Sequence, residues 1–149
     1  MLDATDRAIV AALQKDARMS LKDLAQRAKL SPPGVSERLR RLEERKVIRG
    51  YTVDVNPVAL GYTLQALVRI RPLPGKLKSV EKMLAAIPQL SECDKVTGDD
   101  CFIARLHVRS MEQLDEILDR IADRADTNSS IVKTQVVARR PPPLGLQQG

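Results

Sequence analysis

Apolar positions in the first fifty residues recur at helical spacing in three blocks. In the first, Leu2, Ile9, Val10 and Leu13 fall near one face, and Asp3 and Asp6 stand at the start, where a helix dipole favours acids. In the second, Ser20 is a cap with Asp23 three residues on, and Leu21, Leu24 and Ala28 follow at i, i+3 and i+7. This spacing predicts a short helix over 20–28, with Lys29-Leu30 as a turn. The third block opens Ser31-Pro32-Pro33, a cap followed by prolines that the first helical turn tolerates, and Val35, Leu39 and Leu42 then form one stripe over about 31–45.

Beyond residue 50 the pattern changes. Tyr51 to Pro57 alternates like a strand and stops at Asn56-Pro57, which reads as a connector. Leu64, Ala66, Val68 and Ile70 alternate through a strand over 63–71, closed by Pro72-Leu73-Pro74-Gly75. A helix follows over 76–87, then strands at 90–97 and 101–109 around the turn Gly98-Asp99-Asp100. Ser110 caps a helix whose stripe is Met111, Leu114, Ile117, Leu118 and Ile121, and a last strand is expected over 130–139. The order βαββαβ predicts a ferredoxin-like α+β domain, a four-stranded antiparallel sheet with two helices on one face. The boundaries expected are 1–50 for the first domain, 51–62 for a connector strand and hinge, 63–140 for the second domain, and 141–149 for a flexible tail.

Charge separates the two domains more sharply than composition does. Residues 1–50 carry 12 Lys+Arg against 7 Asp+Glu, and residues 51–149 carry 13 against 12, within a net charge of +6. A basic first third points to a polyanion. Aromatic residues are 2% of the chain, too few to stack the bases of a single strand, so duplex DNA is the polyanion expected. Two short helices joined by a tight turn, the second bearing arginines, read as a helix-turn-helix of winged type with its recognition helix over 31–45. The candidate DNA contacts are Ser31, Pro32, Ser36, Arg38, Arg40 and Arg41 on that helix, with Lys22 and Lys29 for phosphates. An amphipathic helix with solvated arginines would carry the same pattern.

Other chemistry is thin. Cys93, Cys101 and His107 cannot supply a four-ligand zinc site, and no nucleophile–base pair or phosphate loop appears, so neither catalysis nor a cofactor is expected. His107, between Arg105 and Arg109, reads as an interface or surface histidine, and the row Asp115, Asp119, Asp123 as a solvated helix face. No run approaches a membrane span, and the N-terminus has no secretory pattern, which predicts a cytoplasmic protein without a membrane partner. The second face of the sheet carries Leu67 and Ile103 among polar residues with nothing in the chain to cover it, and a second copy is the simplest cover.

The motifs Leu2-Asp3-x-x-Asp6-x-x-Ile9, Ala17-Arg18-x-Ser20, Leu24-Ala25, Leu30-Ser31-Pro32, Val35-x-x-Arg38-Leu39-x-Arg41-Leu42-Glu43 and Val47-Ile48-x-Gly50-Tyr51 resemble, in order, the leucine-responsive/AsnC family of bacterial and archaeal transcription regulators. Lys46 departs from the turn glycine frequent there. Val96-Thr97-Gly98-Asp99-Asp100 and Thr134 resemble the family's amino-acid-sensing, dimer-forming domain, with Cys101 and Phe102 where Asp and Tyr are frequent. The resemblance implies a DNA-binding regulator and a homodimer that builds higher assemblies, an octamer or another assembly of dimers. It also implies a small amino-acid effector beside Thr97, Gly98, Asp99, Asp100 and Thr134. The residues alone leave open an architectural DNA-binding protein without effector response, and a small-molecule-binding regulatory subunit. By themselves they read Gly98-Asp99-Asp100 as a hairpin turn.

Overall fold

A computed structural model of the chain describes residues 2–145. The chain forms two compact units. The first runs up to Asp54 and takes in the chain again from Arg139; the second is Val55–Ala138.

Three helices build the first unit: α1 (Ala4–Lys15), α2 (Leu21–Ala28) and α3 (Pro32–Glu44). Each begins where a short polar side chain can satisfy an orphan backbone N–H. Asp3 caps α1 by accepting from Asp6 N, Ser20 caps α2 from Asp23 N, and Ser31 caps α3 from Gly34 N. Ile9, Val10, Ala12, Leu24, Ala25, Val35 and Leu42 close a small core between the helices. The exits of α2 and α3 share one device. Lys29 and Lys46 both lie in the left-handed region, at φ 54° and 56°. Leu30 N donates to Ala25 O and Val47 N to Leu42 O, the paired bonds of a Schellman ending. Lys46 thus holds the backbone shape that a glycine adopts without strain.

The helical part of the expected winged domain is present; the wing is not. Among the described residues of this unit there is no strand, and residues 51–56, expected to alternate as a connector strand, have no strand partner. Alternation alone does not make a strand, because the backbone groups need a neighbour to bond. Tyr51, Val53 and Val55 are exposed. The tail expected to be loose returns to the unit instead, since Leu144 packs half-buried against the helical core. Residues 146–149 of that expected tail lie outside the described residues.

In the second unit a 3₁₀ turn (Pro57–Leu60) ends at Gly61, whose φ of 85° would strain any other residue and where a Cβ would push the Arg109 guanidinium aside. The Arg109 guanidinium also lies over the Tyr62 ring, 4.9 Å from its centroid. Then come β1 (Leu64–Pro72), α4 (Leu77–Ala85), β2 (Leu90–Lys95), β3 (Phe102–Val108), α5 (Met111–Asp119) and β4 (Ala125–Ile131), with sheet order β2-β3-β1-β4 and every pair antiparallel. This is the ferredoxin-like arrangement expected. Ala66, Val68 and Ile70 of β1 and Phe102, Ala104, Leu106 and Val108 of β3 pack on Val80, Leu84, Leu114 and Ile117 from the helices and Ile121 from the turn after α5.

The last strand departs from expectation. It occupies 125–131 rather than 130–139, pairing Ala66 with Ile131 and Pro72 with Ala125. Its register is set by β1, and its own sequence, Ala-Asp-Thr-Asn-Ser-Ser-Ile, carries almost no apolar alternation because it is a sheet edge with little to bury. Val136 and Val137, which suggested a strand, are exposed.

Lys46→Gly is expected to raise the stability of the first unit by about 0.5–1 kcal/mol, since relief of left-handed strain exceeds the added chain entropy of glycine. Lys46→Val should lower it, because a β-branched side chain tolerates that conformation least. Urea unfolding of the two variants beside the parent checks both signs.

Candidate DNA interface and effector site

Helix α3 buries Val35 and Leu42 and half-buries Leu39, which turns its remaining positions outward. Ser31 and Pro32 at its start, Ser36, Arg40 and Arg41 are exposed, as are Lys22 on α2 and Lys29 at the intervening turn. The structure therefore brings seven of the eight expected DNA-contact residues to the surface of one three-helix unit. The arginines are not idle there. Glu37 accepts from Arg40 Nη2 at 2.8 Å and from Arg41 Nε at 3.0 Å, and Arg40 Nη1 also donates to Glu44. The Arg40 and Arg41 guanidiniums hold the Glu37 carboxyl down to about 2. Glu37 is thus an intramolecular counterion shared by Arg40 and Arg41.

Arg38 is placed otherwise. Its Nη1 donates to Asp3 Oδ2 at 2.6 Å and to Asp6 Oδ1 at 2.7 Å, so its guanidinium is turned onto α1. The backbone N–H of Asp6, and after it Arg38, lower the Asp3 carboxyl below its usual range. The sequence shows Arg38 to be charged but not whom it meets, because its partners lie more than thirty residues away.

In the second unit the turn after β2 is exposed at Thr97, Gly98 and Asp99, with Gly98 at φ 104°. Val96 N donates to Cys101 O at 2.8 Å across it. Of the expected effector residues, Asp100 lines a cavity. That cavity, of about 270 Å³, is bounded by Arg69, Arg71, Asp100, Asp126, Thr127 and Asn128. Arg71 Nη2 lies 3.5 Å from Asp100 Oδ1. Thr134 lies past the end of β4, exposed, and does not line it. The other walls were legible only in part: Arg69 and Arg71 hold outward positions of β1, but misplacing β4 hides that Asn128 and Asp126 stand opposite them. Two guanidiniums and two carboxylates around one space complement a zwitterion. A second cavity, of about 320 Å³ between α4 and β2, is floored by Leu84, Ile87, Leu90 and Phe102, with the Glu81–Lys95 ion pair beside it.

Leu67 and Ile103 lie on the helix-free face, 36% and 38% exposed, across β1 and β3 from Arg105 and Arg69. Nothing in the second unit covers them. No helix among the described residues is long and apolar enough to cross a membrane.

A capped helix carrying arginines on a small helical unit, followed by a one-sided sheet whose cavity is lined by charges of both signs, fits a helix-turn-helix regulator with a separate ligand-binding domain. Residues 2–43 match the AsnC-type helix-turn-helix domain and residues 65–142 the Lrp/AsnC ligand binding domain, and the chain belongs to the Lrp/AsnC family of transcriptional regulators. It is 38% identical over 134 residues to the HTH-type transcriptional regulator LrpA of Mycobacterium tuberculosis, across 88% of this chain and 89% of that relative. A transcriptional regulator of Neisseria meningitidis solved in complex with L-Met is similar at a TM-score of 0.89 and 25% identity, covering 97% of each chain. The feast or famine regulatory protein of M. tuberculosis complexed with L-methionine is similar at 0.87 and 35% identity, covering 95% of this chain and 99% of that one.

Glu37→Gln removes the counterion between Arg40 and Arg41 and is expected to tighten binding to random-sequence duplex by about 3- to 10-fold at low salt. Because the folded carboxyl sits near 2 against an ordinary 4.5, its ion pairs persist as pH falls through the usual carboxylate range and are lost only toward pH 2. The gain from Glu37→Gln should therefore be constant between about pH 5 and about pH 8. Fluorescence anisotropy across that range measures it.

Proposed function

We propose that the protein binds duplex DNA through α3 and regulates transcription as a homodimer whose assembly answers to a small amino acid. The observation that carries this reading is the pairing of an exposed arginine face on one unit with the cavity of Arg69, Arg71, Asp100, Asp126 and Asn128 on the other. Arg40 and Arg41 are the contacts to backbone and base edges, Ser36 a base-edge contact, and Lys22 and Lys29 phosphate contacts. Ser31 and Pro32 set the approach of the helix start.

For the effector, the amino acid's carboxylate meets the arginines and its ammonium meets Asp100 or Asp126. Support comes from the two relatives solved with L-methionine. The sheet face bearing Leu67 and Ile103 is the surface on which a second copy sits, and dimers assemble further, up to an octamer. Arg69 shares that face, so a second copy borders the cavity, and ligand and assembly act on one another. A ligand shifts assembly only if it prefers one state over another, and a coupling of about 1–3 kcal/mol changes DNA affinity about 5- to 150-fold.

Two measurements test the reading. Arg40→Ala with Arg41→Ala is expected to lower the slope of log affinity against log salt by about 1.8, the loss of two phosphate contacts. An unchanged slope would remove α3 from the interface. In sedimentation and melting experiments with each of the twenty amino acids at millimolar concentration, at least one should shift the parent. Asp100→Ala should lose that shift while remaining dimeric. If no amino acid moves the parent, an architectural DNA-binding protein is the better description.

A further inference from the structure

Asp6 is the buried charged residue of the described chain, 8% exposed, and it sits in the first turn of α1. Its neighbour Asp3 uses both oxygens: Oδ1 accepts the Asp6 N–H at 2.7 Å and caps the helix, while Oδ2 takes Arg38. One guanidinium nitrogen of α3 thereby joins the cap and the first turn of α1, at the helix end where the dipole favours carboxylates.

The apolar stripe of α3 cannot do this work alone. Val35 and Leu42 are its fully buried anchors, and with half-buried Leu39 between them they form one narrow stripe along the helix. Packing along a line fixes the depth of a helix but resists rolling about that line weakly. Side chains reading base edges need placement to about 0.5 Å, so a small roll is enough to misplace Ser36, Arg40 and Arg41. The Arg38 bridge lies off the line and opposes that roll.

We infer that Arg38 is a positioning residue for DNA recognition, locking the roll of α3 against α1 through Asp3 and Asp6, and not a phosphate ligand. This rests on α3 being the recognition helix, and it commits to a signature that phosphate contacts do not share. A phosphate ligand contributes to every sequence alike and adds about 0.9 to the salt slope. A positioning residue contributes to discrimination between sequences and leaves the slope unchanged.

The test uses the full chain and two probes: a duplex recovered from a random library by selection with the parent protein, and a random-sequence duplex of equal length. Arg38→Met is expected to weaken the selected duplex at least about 10-fold and the random one less than about 3-fold, with both salt slopes as in the parent. Asp6→Asn should reproduce the loss of discrimination, although a carboxylate on α1 touches no anion. The double variant should be no worse than the more severe single one, because both remove one bridge. Arg38→Lys gives a second reading should Arg38→Met fail to fold. A lysine serves a phosphate as a point charge, but its ammonium stands one bond nearer the backbone than the Nη1 that meets both carboxylates. Discrimination should fall with Arg38→Lys, and its full retention would overturn the proposal. So would a fall of about 0.9 in slope with equal weakening of both probes for Arg38→Met. Failure of the parent to bind either probe would instead count against the recognition-helix reading itself.

Discussion

A helix that presents cations to a polyanion must be held from its other side, and a unit of some fifty residues has little to hold it with. Seven buried side chains form the core of the first unit, and two of these, Val35 and Leu42, belong to α3. Small domains bury a smaller fraction of their surface than large ones, so each anchoring contact bears more of the total. The rest of the unit follows from that shortage. Three side-chain caps start the three helices, two left-handed lysines end two of them, and Leu144 from the far end of the chain is added to the apolar cluster. The ion pairs divide in the same way. Arg38 is committed inward to α1, whereas Arg40 and Arg41 keep their charge on the surface with Glu37 as a replaceable partner.

Local signals were legible in the sequence, and distant pairings were not. Ser20, Ser31 and Ser110 announced their helices correctly because a cap is decided within three residues. The inward faces of β1 and β3 were equally plain, since central strands alternate cleanly when one face is buried. At the edge this failed. Asp126, Thr127, Asn128 and Ser129 are strand residues only because β1 lies beside them. Val136 and Val137 have the right composition and no partner. The cavity inherited that error: Asp100, named through the family resemblance, lines it, but its walls Asn128 and Asp126 were not named. Arg38 is the same lesson in electrostatics, since residue type shows a charge and only the fold shows which carboxylates receive it. Lys46 is the converse case. Its departure from a frequent glycine stood out in the sequence, and the backbone there adopts the glycine-like conformation regardless.

The two faces of the sheet meet different physical demands. The helix side is sealed by a continuous apolar cluster from Ala66 to Ala125. The other side mixes Leu67 and Ile103 with Arg69, Arg105 and Glu92, a composition neither apolar enough to be a core nor polar enough to be simple surface. Such mixtures suit an interface that closes and still admits a charged guest at its margin. The Arg71–Asp100 pair, at 3.5 Å, stands in the wall of the sheet unit's cavity.

The return of the chain at Arg139 has a topological consequence. Because residues 139–145 group with the helical unit, the sheet unit is a domain inserted into another domain and not one appended to it. Two strands of backbone cross between them, near residues 54–55 and 138–139. A protease that cuts the exposed segment around Val53 therefore severs one crossing and leaves the other. The nicked protein keeps a C-terminal piece that still carries Leu144, with its own seat on the helices.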